Sequence, residues 1–588
     1  MKSRFFLPVL LLAIGGLIGY IVAYSDVDLL AFGSEVDPTT VTAKPQTPTP
    51  ETAEQVPTGN SGNDLQVAAL NNLAAAKAPT GKKPNILVIM PDDIGYWNIS
   101  AYNRGVMGYR TPHIDRIAKE GALFTDQYAQ PSCTPGRASF ITGMYPIRSG
   151  LTTVGMVGAQ QGMQADVPSL AEVLKQQGYA TGQFGKNHLG DRNEHLPTVH
   201  GFDEFYGFLY HLNVLQEPLD HDYPRGDKFL KKFGPRGILH SFATDTYDKR
   251  IPDPRFGPIG KQTIVDTGVP DKKGFETLDT KFNDMAFKFM DKAVEDDKPF
   301  FIWLNPSRMH VFTFVPDEYK EKAREYTSYD DPHAAGMIQH DDDIGKVLDK
   351  LEALGIADNT IVVYATDNGP EHSTYPYGGT TPFRSEKMTN WEGGVRVPFM
   401  VRWPGKIQPG SELNGIQTLM DVFATLATAA GVDYSALRQR LMKGDTLGTD
   451  TVKKVYLDGV NNLDYWTGQA NQSARDEFIY WSESSLQGIR VRQWKAHFAQ
   501  RNGYYGTTVK MDIARIFNVR QDPFESFEQH PRTLGQLPQH KSWMFNTVLA
   551  RLSAHLKTLK EFPPTQRGSS LSIDKMIDQM LNSHPSSN

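Results

Sequence analysis

Three observations predict an α/β fold: a large, mostly parallel sheet flanked by helices, with a smaller C-terminal α+β subdomain that contains an antiparallel sheet. Short continuous apolar runs recur between residues 84 and 370. Helical periodicities separate them, which is the rhythm of strand and crossover. After about residue 430 the runs shorten and the turns come closer together.

NILVIM (85–90) is an uninterrupted apolar run, as in a strand buried on both faces, and Pro91, Asp92 and Asp93 follow at once. YATGQF (179–184) is a weaker strand, followed by Lys186 and His188. FFIWLN (300–305) leads to Arg308 and His310, and TIVVYA (360–365) to Asp367, Asn368 and Gly369. Between them, SLAEVLKQQGY sets Leu170, Val173 and Leu174 on one helical face, with Gly178 to end the turn. In GMIQHDDDIGKVLDKLEALG, Ile344, Val347, Leu348, Leu351 and Leu354 recur at helical spacing before a Gly355 cap. His340-Asp341-Asp342-Asp343 reads as the start of that helix, because acidic residues favour its N-terminal dipole. Ligands of parallel sheets gather at the carboxyl ends of strands, so four strands ending in polar residues predict a site.

EFIYWSE, GIRVRQWKAHFAQ and ARIFNVRQDP read as the antiparallel strands, and MFNTVLARLSAHLKTL as a closing helix. The expected organisation is a membrane anchor or signal segment (1–24), a Pro/Thr-rich tether (25–83), a catalytic domain (84–430), a C-terminal subdomain (431–565) and a peripheral polar tail (566–588). Lys2 and Arg4 precede an apolar stretch from Phe5 to about Tyr24, longer than the core of most cleaved signals. The favoured reading is an uncleaved anchor, positive end inside, with the catalytic domain outside the cytoplasm in a bacterial-type envelope. Secretion after cleavage is the alternative. A net charge of −6 over 588 residues offers no field for nucleic acid, and no Walker or dinucleotide fingerprint suggests a nucleotide cofactor.

The single cysteine, Cys133, lies in PSCTPGRASFITGMYP and has no disulfide partner. Together with PDDIGY, GYATGQFGKNHLG, GFDEFYGF, a histidine after a central strand, ATDNGPEH, EKMTNWEGGVRVPFMVRWPG and the later FNVRQDPFESFEQ, this stretch resembles the type I, formylglycine-dependent sulfatases of the alkaline phosphatase superfamily. Without FNVRQDPFESFEQ, which resembles the family's C-terminal region, the ordered set spans roughly residues 84–410. In that family the cysteine of a C-x-P-x-R core is oxidised to formylglycine by a separate formylglycine-generating enzyme, which would be a partner here. Cys133-Thr134-Pro135-Gly136-Arg137 satisfies the core, although Gly136 stands where Ser or Ala is common and would loosen the turn.

Pro135 suits the first position of a helix through ASFITG, which sets Cys133 just before a helix N-terminus and lowers its thiol pKa. Asp92, Asp93, Asp367 and Asn368 supply only hard oxygen ligands, suited to Ca²⁺ or Mg²⁺ rather than zinc. The resemblance implies Ca²⁺, with Mg²⁺ possible, and residue 133 completing the coordination. It further implies that Arg137 and Lys186 hold the hydrated aldehyde, that His310 and Lys387 bind the sulfate and protonate the leaving oxygen, and that His188 removes the proton that releases sulfate. His195 and His200 match no ligand spacing and are expected at the surface or behind the site. The implied substrate is a sulfate monoester of a small molecule or carbohydrate. Alternatives from the same residues are a phosphonate monoester hydrolase or phosphodiesterase, or a dead, membrane-tethered binding protein.

Overall fold

The structure is a computed structural model and describes residues 81–374, 378–445, 447, 454–529, 541–574 and 577. The anchor segment and nearly all of the tether lie outside these residues. No helix among the described residues is long and apolar enough to cross a membrane.

A ten-stranded mixed sheet organises the chain. Its strands are β1 (Asn85–Ile89), β2 (Ala122–Phe124), β4 (Ala180–Lys186), β5 (Glu204–Phe208), β6 (Leu239–Asp248), β7 (Gly260–Asp266), β8 (Phe300–Asn305), β9 (Thr360–Ala365), β10 (Phe399–Arg402) and β11 (Ser411–Leu413), while β3 (Gln127–Tyr128) pairs with β12 (Gln417–Thr418) in a small ribbon. The spatial order is β11-β2-β10-β9-β1-β8-β4-β5-β6-β7. The run β9-β1-β8-β4-β5 is parallel throughout. Antiparallel β10 closes one side and the β6–β7 hairpin the other. These flanking strands come from segments with weak periodicity, and the sequence reading did not resolve them.

Alternate side chains of the central strands enter two separate cores. Ile86, Val88, Trp303 and Val363 face one, Leu87, Ile89, Ile302 and Val362 the other. Seven helices matter to the argument: α1 (Pro112–Lys119), α2 (Cys133–Thr142), α3 (Leu170–Lys175), α4 (Leu278–Glu295), α5 (Pro332–Ala353), α6 (Leu419–Ala429) and α7 (Trp543–Glu561). Helices α2, α3 and α6 cover the first core; α1, α4 and α5 cover the second. This double burial is why the strands read as unbroken apolar runs. Ser169 and Glu172 form a reciprocal capping box that starts α3.

Helix α5 begins at Pro332, with the Asp331 side chain accepting from His333 N and Ala334 N. His340–Asp343 therefore lies in mid-helix, which corrects the expected start. The carboxylate of Asp341 instead accepts from His113 N at 3.2 Å and Ile114 N at 2.8 Å, capping the N-terminus of α1 across the helix interface. An acidic run satisfies helix-end donors wherever packing brings them, and here they belong to a neighbour.

The C-terminal sheet is four-stranded and antiparallel: β13 (Glu477–Ser482), β14 (Ser485–Val491), β15 (Trp494–Arg501) and β16 (Thr508–Asn518). Met544 and Val548 of α7 pack with Phe478 and Ile489 of that sheet. The described part of the tail is not peripheral. Gln566 Nε2 donates to Ser149 O and Gly162 O, Thr152 Oγ1 donates to Ser569 O, and Ser569 and Ser570 are buried. Its polar residues bond backbone groups of the catalytic body, so polarity alone misplaced it.

Candidate active site

Four adjacent strands, β9-β1-β8-β4, deliver their carboxyl ends to one place. Asp92 and Asp93 follow β1, Lys186 ends β4 with His188 two residues on, Arg308 and His310 follow β8, and Asp367 and Asn368 follow β9. Acidic oxygens of Asp92, Asp93 and Asp367 lie within 4.8 Å of one another, all buried. So do ligand atoms of Asp92, Cys133 and His310.

Helix α2 starts at Cys133 itself, with Ser132 as N-cap and Gly136 N donating to Ser132 O at 3.0 Å. The start is two residues earlier than Pro135, which lies inside the first turn, where its missing N–H costs nothing. Gly136 does not loosen that turn. A Cβ there would lie 1.9 Å from Asp367 O, so the glycine admits a close approach between the helix and the end of β9.

Arg137 is fully buried, with Nη2 2.8 Å from Asp367 Oδ2 and 3.7 Å from Asp92 Oδ1, and Nη1 donating to Lys186 O at 3.1 Å. Lys186 Nζ pairs with Asp92 Oδ2. Lys387 Nζ lies 2.7 Å from Asp93 Oδ2 and 3.3 Å from Glu371 Oε2. Glu392, further along the same motif, accepts from Lys495 Nζ at 2.9 Å and Tyr480 Oη at 3.0 Å, tying the Lys387 loop to the C-terminal sheet.

The charges shape each group. Burial opposes ionisation of Asp92, but the charges of Lys186 and Arg137 hold it well below the usual carboxylate range. Burial pushes Asp93 up to about 7 against the pull of Lys387, and Asp367 up to about 6 with help from Asp92. Burial and neighbouring cations push His188 and His310 well below their ordinary value, so both are neutral imidazoles. Lys387 stays charged despite burial because Asp93 and Glu371 face it. The Cys133 thiol moves up, not down: burial dominates, Asp92 adds to it, and Lys186 and Lys387 do not offset them. A helix N-terminus lowers a thiol pKa only where the thiolate is not also stripped of water beside carboxylates.

Asp93, His188 and Met388 all adopt left-handed backbone conformations (φ 56°, 59° and 68°), as sites under functional constraint do. His195 and His200 are buried, not at the surface; His195 packs on Gly162 and Gly190, and His200 Nε2 bonds Glu194 O at 2.9 Å. Sequence reasoning missed Glu371, although it stands in the quoted ATDNGPEH, and missed His211. The His211 ring sits 5.9 Å from those of both His188 and His310, close to parallel with the latter.

The buried carboxylate cluster fits a divalent cation. Its donors are all hard oxygens, and Asn368 Oδ1 and Asp92 Oδ1 are buried without a hydrogen-bond partner.

Comparison with known proteins agrees with this geometry. The sulfatase family profile matches residues 84–432, and a profile for the C-terminal region of aryl-sulfatase matches 473–585. The chain is 28% identical to the steryl-sulfatase of Rattus norvegicus over 89% of its own length and 97% of that protein. It is 30% identical to an arylsulfatase of Hemicentrotus pulcherrimus, covering 71% of this chain and 67% of that protein. The crystal structure of PsFucS1 sulfatase from Pseudoalteromonas sp. superposes with a TM-score of 0.68 at 27% identity, over 86% of this chain and 95% of that one. With one profile spanning the whole strand-end site and a second the C-terminal sheet, this chain belongs to the sulfatase family and is an enzyme that hydrolyses sulfate esters.

Proposed function

We propose that the nucleophile of this sulfatase is made from Cys133 by oxidation to formylglycine, and that a divalent cation, Ca²⁺ in preference to Mg²⁺, is held by Asp92, Asp93, Asp367 and Asn368. The observation that carries the reading is the chemical setting of Cys133. It heads a helix, its thiol is driven towards the neutral form, and Sγ lies 4.0 Å from Asp93 Oδ1. A thiol kept neutral is a poor nucleophile, whereas an aldehyde hydrate offers two hydroxyls, one for attack once a base takes its proton and one to expel the product.

Hydrated, the aldehyde supplies two hydroxyls on one carbon, one to attack sulfur and one to release sulfate. The cation, when bound, supplies Lewis acidity to an oxygen on residue 133. The remaining work falls to the protein's own side chains. Asp367, held in orientation by Arg137 Nε at 2.9 Å, takes the proton of the attacking hydroxyl. Lys186 and Lys387 meet charge growing on the sulfuryl oxygens, and Lys387 returns a proton to the departing alcohol oxygen. His310, whose Nδ1 bonds Val311 O at 3.1 Å, presents its other nitrogen to the sulfate. Neutral His188, with a buried Nδ1 that has no hydrogen-bond partner, takes the proton that frees the product.

The N-terminal apolar segment would tether the enzyme to a membrane outside the cytoplasm, and a formylglycine-generating enzyme would act on the chain before or during folding. The test is mass spectrometry of the peptide containing residue 133, from protein made in its native host. Loss of sulfur with an aldehyde trapped by a hydrazine is the expected result; an intact thiol in active protein overturns the reading. Faster turnover of an aryl phosphonate than of the matched aryl sulfate would favour the phosphonate hydrolase alternative.

A further inference from the structure

We propose that the cavity above Cys133 accepts the apolar ring system of a hydrophobic alcohol or phenol carrying a single sulfate, and that Phe312 and Leu571 set this preference. The inference rests on the sulfate-ester reading and adds the class of leaving group. A cavity of about 770 Å³ opens onto Cys133, His310 and Lys387, a volume suited to a whole small molecule. Its walls include Met156, Phe233, Phe312, Tyr505 and Leu571, drawn from five distant parts of the chain. Met156, Phe312 and Tyr505 are 69, 60 and 83% exposed, although the fold buries large apolar side chains throughout its two main cores. Scattered exposed hydrophobes are ordinary; several converging on one cavity over a reactive centre mark a ligand surface.

Two of these residues are held in place in ways that serve no core. Phe312 has φ +65°, a costly conformation for a bulky residue, and its carbonyl accepts from Gln216 Nε2 at 3.0 Å. The loop after His310 thus turns the aromatic ring outward at the cavity. Leu571 arrives on the C-terminal tail, pinned by Thr152 Oγ1 to Ser569 O at 2.7 Å and by its own N–H to Glu483 Oε1 at 3.2 Å.

The charges argue the same way. Apart from Lys387, the described residues lining the cavity include one further lysine, Lys232, two carboxylates, Glu217 and Glu371, and no arginine. A polysulfated or uronate-bearing sugar chain needs a cation for each further anionic group and paired donors for its hydroxyls. Asn213, Ser373 and Thr374 also line the cavity, but its carbon walls would strip water from most of those hydroxyls without replacing it.

The experiment is calorimetric titration of full-length Cys133→Ala protein with 2-naphthyl sulfate and with N-acetylglucosamine 6-sulfate. We expect the naphthyl ester to bind at least about tenfold more tightly, the equivalent of burying one large apolar group. Phe312→Ala and Leu571→Ala should each raise its Kd about three- to tenfold and leave the sugar ester unchanged, while Phe312→Leu restores most of the loss. Equal or tighter binding of the sugar ester, or no change in naphthyl binding in both alanine variants, overturns the proposal. Turnover of the two esters by the wild-type enzyme is read alongside. Absence of turnover on either ester counts against the nucleophile reading, whereas the binding comparison alone decides the cavity.

Discussion

Arg137 and Asp367, 230 positions apart in sequence, form a buried ion pair of 2.8 Å that joins the first turn of α2 to the end of β9. The pair fixes the residue that follows the nucleophile position by four against one of the carboxylates of the proposed metal site. Neither charge reaches water. Removing one partner strands the other, at a cost of about 3–5 kcal/mol.

Arg137→Ala should therefore lose stability by about that amount in urea denaturation and lose turnover by at least ~100-fold. Arg137→Lys keeps the charge but not the fork that also reaches Lys186 O, and should fall between the two. Wild-type turnover in Arg137→Ala would remove the residue from the site.

Cys133→Ala should abolish turnover and change unfolding free energy by only about 1 kcal/mol, since one small buried group is lost. Full activity in the purified variant would sink the proposed nucleophile.

Chelation should destabilise the protein. Asp92, Asp93 and Asp367 are like charges packed within 4.8 Å, and a cation that binds only the folded state stabilises by about 2.7 kcal/mol at a hundred times its Kd. The melting temperature should drop with EGTA, recover with Ca²⁺ at lower concentration than with Mg²⁺, and respond far less in Asp367→Asn. Identical melting curves with and without chelator would count against the metal.

Asp341 predicts a pH effect away from the chemistry. Burial raises its carboxyl to about 7 despite the two α1 N–H donors. Between about pH 4 and pH 7 the folded form holds a proton that the unfolded chain has released. The contribution is thus complete below pH 4 and is lost as pH rises through 7, by on the order of 4 kcal/mol. The stability of wild type relative to Asp341→Asn should fall across that window in parallel urea titrations; a flat difference would refute it.

Gly136 bears on how well a residue-by-residue comparison serves. Read as a departure from a family pattern, it suggested a loosened turn. In the fold it is a point of contact, with no room for a Cβ beside Asp367 O. Gly136→Ala should force the helix start away from β9 and cost about 1–3 kcal/mol, measured by denaturation, with reduced turnover.

Much of the site was legible along the chain because its parts follow strands directly. Asp92, Asp93, Lys186, His188, His310, Asp367 and Asn368 each lie within a few residues of an apolar run, and a parallel sheet brings such ends together. Short-range rules sufficed for the central strands, for α3 with its capping box and for the helical stripe of α5. They failed where a partner lies far off in sequence. The Asp341 carboxylate looked like the start of its own helix but caps another, and the tail around Ser569 looked like solvent-facing chain but is buried, with Ser569 O accepting from Thr152 Oγ1. The Cys133 pKa went the wrong way because helix position is local whereas burial and neighbouring carboxylates are not. Composition and periodicity carry information about which residues prefer water or a given backbone geometry. Desolvation, long-range ion pairing and the walls of a cavity exist only once distant segments are packed, so those were settled by the tertiary structure.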